Sequence, residues 1–389
     1  MAGESVYDDW TGNVVSDATV RSLDPAALRA ARTIFLRDRS EDPSGIDDEA
    51  FLALAGLTKR GRMTNAAMIL LGKATENVLP STVCIRWRLI DTDGEQTDSR
   101  VFRGPVILTV RQAVSMIRNS TWKVGSGDNA RQVSAYRVST LMEAVFNAVI
   151  HQDFSYGGTV DIVERERESV TVISRGGFPK VNPESFILDR PDIPERRNPF
   201  LAKAAVGLKL VPGNGSGIRG MYLTQIRSHF PMPVFRMTDD TVAVTFQGNR
   251  RGAYCGLLDA RDDIDVATAM DLDRIDRGLY VPGQRVALLE RRGLVKTEDG
   301  MVFLMSGPGP AKVFPGGTDR EAVAGMIRER GPVSRSEVAD MLRSRDSKGL
   351  TEKQLSVKAT NLLQSMSREG TIERTEGSTK SARYSLKKD

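Results

Sequence analysis

The sequence predicts an α+β fold: an antiparallel sheet with helices on one face, followed by small helix-rich modules. Two observations predict the sheet and its helices. One is an amphipathic helix at residues 137–153, and the other is the set of strand pairs with alternating apolar residues that follows it. The third observation, a C-terminal run of helices that ends in two strands, predicts the modules.

Composition narrows the class of protein. The 389 residues allow two or three domains with their own cores. No stretch approaches about 18 uncharged apolar residues, and the N-terminus lacks a signal segment, so the expected location is the cytoplasm, without membrane insertion. Cys84 and Cys255 are isolated, which excludes a disulfide scaffold and a thiolate zinc cluster. With only two histidines in the chain, the expected metal is Mg²⁺ that arrives with a nucleotide.

The N-terminal region, residues 1–125, is predicted to be a supporting layer of helices and strands. Asp24 is a helix cap and Pro25 occupies the first helical position, so a helix is expected to begin there. Further elements expected in this region are a short helix at 48–57, a buried run at 66–71, strands at 82–90 and 99–102, and a helix at 105–118.

A loop is predicted at residues 123–132, KVGSGDNARQ. Its GSG lacks the GxxxxGK[ST] spacing of a phosphate loop, and no apolar strand precedes it. The absence of a Walker A loop argues against a motor helicase and against a conventional P-loop ATPase.

The helix at 137–153 combines an apolar face with a polar stripe. Glu143, Asn147 and His151 follow one another at intervals of four residues, so they share one side of the helix. A carboxamide oxygen can coordinate a hard cation while a carboxylate one turn away orients water. Glu and Asn at this spacing also occur on many solvated helices, so the stripe alone leaves both interpretations open. The apolar face is formed by Val138, Leu141, Met142, Val145, Phe146, Val149 and Ile150.

Two glycine clusters follow this helix. Gly176 and Gly177 end a predicted strand pair at 159–163 and 169–173, where they allow either a tight turn or close approach to a ligand. Gly213, Gly215 and Gly217 lie just before and at the start of a long helix that is expected to reach about residue 230. The first N–H groups of that helix favour an anion, although a glycine cluster at a helix start more often forms only a loop. A helix after RRNPF and a hairpin at 233–236 and 242–246 complete this domain, residues 126–250.

Five motifs resemble, in order, bacterial ATP-binding proteins labelled RecG-related helicases or transcriptional regulators. The likeness spans roughly residues 5–250, and many of those relatives begin with a Schlafen-type domain that is expected to end about where this chain starts. The motifs are TNAAMILLGK (64–73), EAVFNAVIHQDFS (143–155), SRGGFP (174–179), RNPFLA (197–202) and GNGSGIRGM (213–221).

The resemblance implies a GHKL or Bergerat-type ATPase fold that binds ATP with Mg²⁺. Glu143 would match the water-activating general base, and Asn147 the magnesium ligand. The adenine-reading aspartate of this fold has no counterpart in SRGGFP, where Ser174 stands nearby. The cofactor-binding residues expected from the motifs are Asn147, His151, Asp153, Ser174, Gly176, Gly177, Gly213, Gly215, Ser216 and Gly217.

Beyond residue 250 the pattern predicts two winged modules, at 251–306 and 318–389, joined by a Gly- and Pro-rich linker at 307–317. The last 72 residues hold 15 Lys and Arg against 11 Asp and Glu, so they carry +4 of the net charge of +5. The third helix of a winged helix-turn-helix enters the major groove of double-stranded DNA. The phosphate contacts expected here are Lys353, Ser356, Lys358, Thr360, Lys380 and Arg383.

These observations favour an ATP-binding, DNA-associated regulatory protein. A second hypothesis is a non-catalytic dimerisation or interaction scaffold with a degenerate nucleotide pocket, which the missing aspartate favours. A third is a weak Mg²⁺-dependent ATPase. A homodimer is compatible with all three.

Overall fold

The computed structural model describes residues 9–37, 45–74, 83–177, 182–188, 197–213, 216–250, 252–298, 301–305, 319–345, 351–376 and 382–387. The chain divides into two compact units. The first unit comprises Met1–Val124 with Ala130–Asn249, and the second comprises Gly125–Asn129 with Arg250–Asp389. The predicted boundaries at 125, 306 and 317 remain predictions.

The helices of the first unit begin at the sequence signals expected for them. Asp24 Oδ1 accepts hydrogen bonds from the N–H groups of Ala26 and Ala27, each at 2.8 Å, so it caps the helix that Pro25 starts. The helices are α1 (Pro25–Leu36), α2 (Asp48–Leu54), α3 (Asn65–Leu71), α4 (Val106–Ser115), α5 (Val138–His151), α6 (Ser185–Leu188), α7 (Pro199–Gly207) and α8 (Ser216–Arg227).

The strands of this unit form two short hairpins and one large sheet. They are β1 (Thr58–Lys59), β2 (Arg62–Met63), β3 (Cys84–Ile90), β4 (Gln96–Arg103), β5 (Thr121–Val124), β6 (Arg131–Ser134), β7 (Thr159–Arg165), β8 (Ser169–Arg175), β9 (Val234–Met237) and β10 (Thr241–Gln247). The six-stranded sheet has the order β4-β3-β7-β8-β10-β9. The predicted α+β class is confirmed.

The sheet is mixed, whereas the sequence predicted an antiparallel one. β3 and β7 run parallel, with Arg86 beside Asp161 in the register, and the other neighbours are antiparallel. The parallel pair arises because β4, α4 and α5 lie between the two strands in sequence, so the chain returns to the sheet in its original direction. Strands from both sides of residue 125 therefore belong to one sheet.

Helices cover one face of the sheet. On β3, Ile85, Trp87 and Leu89 are buried, whereas Arg86 and Arg88 on the opposite face are half-buried. Helix α4 contacts β3 and β4, and α5 contacts β7 and β8. The buried residues of these elements belong to one hydrophobic core. Helix α5 is thus held between the sheet and the remaining helices.

The loop predicted at 123–132 is wrong in part, because its two ends pair as the hairpin of β5 and β6. The hairpin is stabilised by apolar residues that lie at or beyond the ends of that segment. Trp122 and Val133 pack against the core, and the Trp122 ring meets the Phe230 ring edge-on at 6.4 Å. These two apolar residues flank the segment 123–132, so its Gly- and Ser-rich sequence alone predicts only a loop.

The second unit contains two groups of elements. The first is α9 (Ala253–Ala260), α10 (Val266–Asp276) and α11 (Gly283–Arg291) with a hairpin of β11 (Val295–Glu298) and β12 (Met301–Leu304). The second is α12 (Asp319–Arg330), β13 (Val333–Ser334), α13 (Arg335–Arg345), α14 (Glu352–Arg368), β14 (Ile372–Glu376) and β15 (Arg383–Leu386). Its strands form a sheet of order β13-β15-β14.

The C-terminal group has its own core and well-capped helices. Val338, Leu342, Leu355 and Leu363 are among its buried residues. Ser334 is the predicted cap, and its hydroxyl accepts from the Glu337 N–H at 3.3 Å. Within the described part of the chain, no helix combines the length and the apolar character needed to cross a bilayer.

Candidate functional site

Helix α5 is buried on nearly every side except along its polar stripe. Glu143, Asn147 and His151 are half-buried, while the residues between them are mostly buried. Val138, which the sequence pattern assigned to the apolar face, is 54% exposed because it lies at the first turn of the helix. A half-buried polar stripe inside a core requires partners for its polar atoms.

Glu143 has one oxygen without such a partner. Among the described residues, no hydrogen bond reaches its buried Oε1. Burial also raises the pKa of the Glu143 carboxyl from 4.5 to about 7, because desolvation disfavours the charged form. The group can therefore exchange a proton near neutral pH, which is a property common at functional sites.

The start of α8 lies against Glu143 and Asn147. A Cβ atom at Gly217 would be 2.6 Å from Glu143 Oε1 and 3.3 Å from Asn147 Nδ2. A side chain at residue 217 would overlap the carboxylate, so Glu143 would have to move aside. The structure thus brings together Glu143, Asn147 and Gly217, with Ser216 as the first residue of α8.

Gly213, which was also predicted to bind the cofactor, does not join this contact. Gly213 is exposed, and a Cβ atom there would lie 2.8 Å from Val206 Cγ1, so this glycine serves the packing of α7. Gly215 lies outside the described residues.

The groups around Gly217 fit a magnesium nucleotide. The first N–H groups of α8 have no partner within the helix, and the helix dipole favours an anion there. The amide oxygen of Asn147 and the carboxylate of Glu143 are hard oxygen ligands that suit Mg²⁺. The unpartnered Glu143 oxygen lies at this point, close to Asn147 and to the start of α8.

A second cluster forms where α5 ends. Asp153 Oδ1 accepts hydrogen bonds from Ser155 N at 3.0 Å and Ser155 Oγ at 2.6 Å, and its other oxygen pairs with Arg197. Burial acts to raise the pKa of Asp153, but the Ser155 hydrogen bonds and the Arg197 charge outweigh it and lower that pKa. Asp153, predicted to bind the cofactor, is therefore engaged in an internal network. His151 lies at the last turn of α5, just before it.

The first glycine cluster packs tightly against this network. Gly176 has φ of +94°, and a Cβ atom there would lie 2.8 Å from Asp153 Cβ. At Gly177 the corresponding distance to Asp239 O is 2.5 Å. Ser174 is 5% exposed on β8, on the same side as Val170 and Val172, and so it faces the helices.

Sequence reasoning named RNPF as a motif but missed what its residues do. Asn198 Nδ2 donates to the carbonyl oxygens of Ile150 at 2.8 Å and Gln152 at 2.9 Å, and its side chain is buried. With Arg197 bound to Asp153, the motif fixes the C-terminal end of α5. The sequence shows an Asn-Pro pair at the start of α7. Such a pair predicts that Asn198 caps α7, and does not predict its contact with the end of α5.

The residues predicted to contact DNA differ in their exposure and in their contacts within the protein. Lys353 is exposed, whereas Ser356 and Thr360 are half-buried and Thr360 Oγ1 donates to Ser356 O at 2.9 Å. Lys358 pairs with Asp319 at 2.7 Å. Arg383 donates to Pro332 O at 2.9 Å, and Lys380 lies outside the described residues.

Two family models match parts of the chain. One, described as "Putative ATP-dependent DNA helicase recG C-terminal", matches residues 160–246, from β7 to β10, downstream of α5. The other, described as a domain of unknown function, matches residues 1–82. No curated protein sequence matches the chain significantly.

A solved structure shares the fold. The DIP2311 protein from Corynebacterium diphtheriae is 22% identical, with a TM-score of 0.54. The match covers 77% of this chain and 64% of that protein, so the chain spans less than two thirds of it. Together, the family match at 160–246 and the shared fold support an ATPase-like domain in the first unit.

Proposed function

We propose that this protein is an ATP-binding regulator whose first unit binds Mg-ATP and whose C-terminal group of elements binds double-stranded DNA. The observation that carries the nucleotide site is the unpartnered Glu143 oxygen, which faces Asn147 and the start of α8 at Gly217. Helicase activity is not part of the proposal, because the sequence has no Walker A loop.

Each residue of the site has a distinct task. The Asn147 amide oxygen would hold the metal ion, and the N–H groups of the first turn of α8 would hold phosphate oxygens. When bound, Mg²⁺ would neutralise phosphate charge and polarise the terminal phosphoryl group. Glu143, with a pKa of about 7, can orient a water molecule and accept its proton.

Calorimetry with Mg-ATP on the full chain tests the site. We expect saturable binding that requires Mg²⁺ and that Asn147→Ala weakens at least tenfold. Asn129→Ala, at an exposed asparagine of the second unit, is the matched control and should bind like the wild type. Absence of binding, or equal binding by the Asn147→Ala variant, would refute the nucleotide site.

Turnover separates binding from hydrolysis. If the site is a weak ATPase, Glu143→Gln should retain Mg-ATP binding and lose phosphate release. If the wild type binds ATP and releases no phosphate, nucleotide acts only as a ligand that changes the state of the protein.

A non-catalytic scaffold is the second candidate function. It is favoured by the absence from SRGGFP of the aspartate that reads adenine in the fold's relatives, and by the ion pair with Arg197 that engages Asp153. A scaffold of this type, acting by dimerisation or protein contact, predicts no nucleotide binding and no effect of Glu143→Ala. It also predicts that removal of residues 318–389 abolishes the interaction with its partner.

The DNA-binding part of the proposal rests on the order of the C-terminal elements. Three helices and a three-stranded sheet whose last two strands form a hairpin have the order of a winged helix-turn-helix, with α14 as the third helix. A gel shift comparing the full chain with residues 1–312 tests it. We expect only the full chain to bind duplex DNA, with an affinity that falls steeply as salt rises.

The proposal also links the two activities. We expect Mg-ATP to change the affinity of the full chain for duplex DNA, and Asn147→Ala to abolish that change. Equal DNA affinity with and without a saturating nucleotide would contradict the linkage while leaving each binding activity in place.

A further inference from the structure

Helix α14 has two opposite stripes. Leu355, Ala359, Leu363 and Met366 are buried and face the C-terminal core. The residues two positions before them lie about 200° around the helix and are exposed. They form a second stripe of Lys353, Val357, Asn361 and Gln364. The exposed stripe is therefore the side of α14 that a DNA groove can meet.

This stripe differs from the set of contacts that the sequence suggested. Ser356 and Thr360 lie at its margin, and the Thr360 hydroxyl is used within the helix. Lys358 is held by Asp319. In contrast, the side chains of Asn361 and Gln364 make no hydrogen bond within the described part of the chain. Lys353, Val357 and Asn361, with Gln354 and Lys358, line a shallow surface depression.

The chemistry of the stripe matches one class of base pair. A carboxamide can form two hydrogen bonds with one adenine: its oxygen accepts from N6 and its nitrogen donates to N7. Val357 is 53% exposed and offers an apolar contact of the kind made with the methyl group of thymine. Val357 and Asn361 are one helical turn apart, about 6 Å, which is close to two base-pair steps.

We propose that α14 reads A·T pairs in the major groove through Asn361 and Val357, with Gln364 as a further amide contact and Lys353 on a phosphate. This inference rests on the DNA binding proposed above and adds the sequence class that is bound. An exposed valine also suits a protein contact, and the experiment distinguishes that outcome.

The test measures binding of the full chain to two duplexes of equal length, one rich in A·T pairs and one in G·C pairs, by fluorescence anisotropy at one salt concentration. We expect at least a tenfold preference for the A·T duplex. Asn361→Ala should reduce this preference about tenfold, because one amide pair with adenine is lost. Lys353→Ala should weaken both duplexes alike and lower the salt slope by about one.

Asn129→Ala is the control, since it removes the same type of side chain at an exposed position outside α14 and should leave the preference unchanged. Equal affinity of the wild type for the two duplexes, or an unchanged preference in Asn361→Ala, would overturn the inference and leave DNA binding intact. Failure to bind either duplex would overturn both this inference and the DNA-binding part of the proposed function, and it is the result expected if the stripe contacts protein.

Discussion

Gly217 lies directly against Glu143, so close that a Cβ atom on the glycine would be 2.6 Å from Glu143 Oε1. This contact joins the start of α8 to the polar stripe of α5. The backbone of α8 therefore packs directly against the Glu143 carboxylate of α5. Both the stability and the proposed activity of the first unit depend on it.

Substitution at Gly217 should therefore displace the Glu143 side chain. We expect Gly217→Ala to lower the free energy of unfolding by about 1 kcal/mol, because the added methyl group overlaps the carboxylate and the flexible end of Glu143 must move aside. Urea denaturation measures the change. The matched control is Gly220→Ala on the same helix, where no atom lies within 4 Å of the added Cβ. It should be neutral or stabilise by up to about 1 kcal/mol, and equal effects of the two substitutions would contradict the contact.

The raised pKa of Glu143 predicts how stability depends on pH. Because the folded state favours the protonated carboxyl, the contribution of Glu143 to stability is greatest below about pH 4.5 and is lost as pH rises through about 7. Glu143→Gln lacks this charge. The stability of the variant relative to the wild type should rise by about 1–2 kcal/mol between pH 5 and pH 8. This energy is kept small because the group is partly exposed and solvent screens its charge. Unfolding curves of both proteins across this range measure the gain, and a difference independent of pH would refute it.

Asn198 should be important for stability although it lies outside the proposed chemistry. Asn198→Ala removes two hydrogen bonds and leaves the carbonyls of Ile150 and Gln152 without them, so we expect a loss of about 2–4 kcal/mol in thermal or urea unfolding. Asn129→Ala removes one exposed hydrogen bond, to Asp262, and should cost less than about 0.5 kcal/mol. A small effect at Asn198 would show that another group holds the end of α5.

Asp153 predicts the opposite pH dependence from Glu143. Its pKa is lowered in the folded state, so its contribution to stability is present above the usual carboxyl pKa of about 3.9 and is lost as pH falls through the folded value. At pH 7, Asp153→Asn should destabilise by about 1–2 kcal/mol through weaker bonds to Ser155 and Arg197. The gap to the wild type should narrow as pH falls below the usual carboxyl pKa, and a gap that widens would exclude this explanation.

Local sequence patterns predicted most helices and strands correctly. The cap and proline at Asp24 and Pro25 define the start of α1, and the interval of four residues placed Glu143 and Asn147 on one side of α5. These features depend on neighbours within one or two turns, which a single sequence displays. The strand pairs β7 with β8 and β9 with β10 are also local, since short turns join them.

The features that were missed depend on contacts distant in sequence. The parallel pairing of β3 with β7 joins Arg86 to Asp161 across 75 residues, and no periodicity reveals it. Asn198 binds carbonyls about 46–48 residues earlier in the chain. On α14, the sequence identified residue types suited to phosphate, but the direction of each side chain follows from where the core lies. Ser356 and Thr360 are half-buried near the core, whereas Asn361 and Gln364 are exposed.

The parallel pairing of β3 with β7 also has a kinetic consequence. Joining β3 to β7 closes a loop of 75 residues, so the complete sheet of the first unit is expected to form more slowly than the C-terminal group of elements. During synthesis, β3 and β4 leave the ribosome well before β7 and must wait for it with one edge unpaired. The arginines of β3 then act as charged residues that discourage that edge from pairing with other nascent chains.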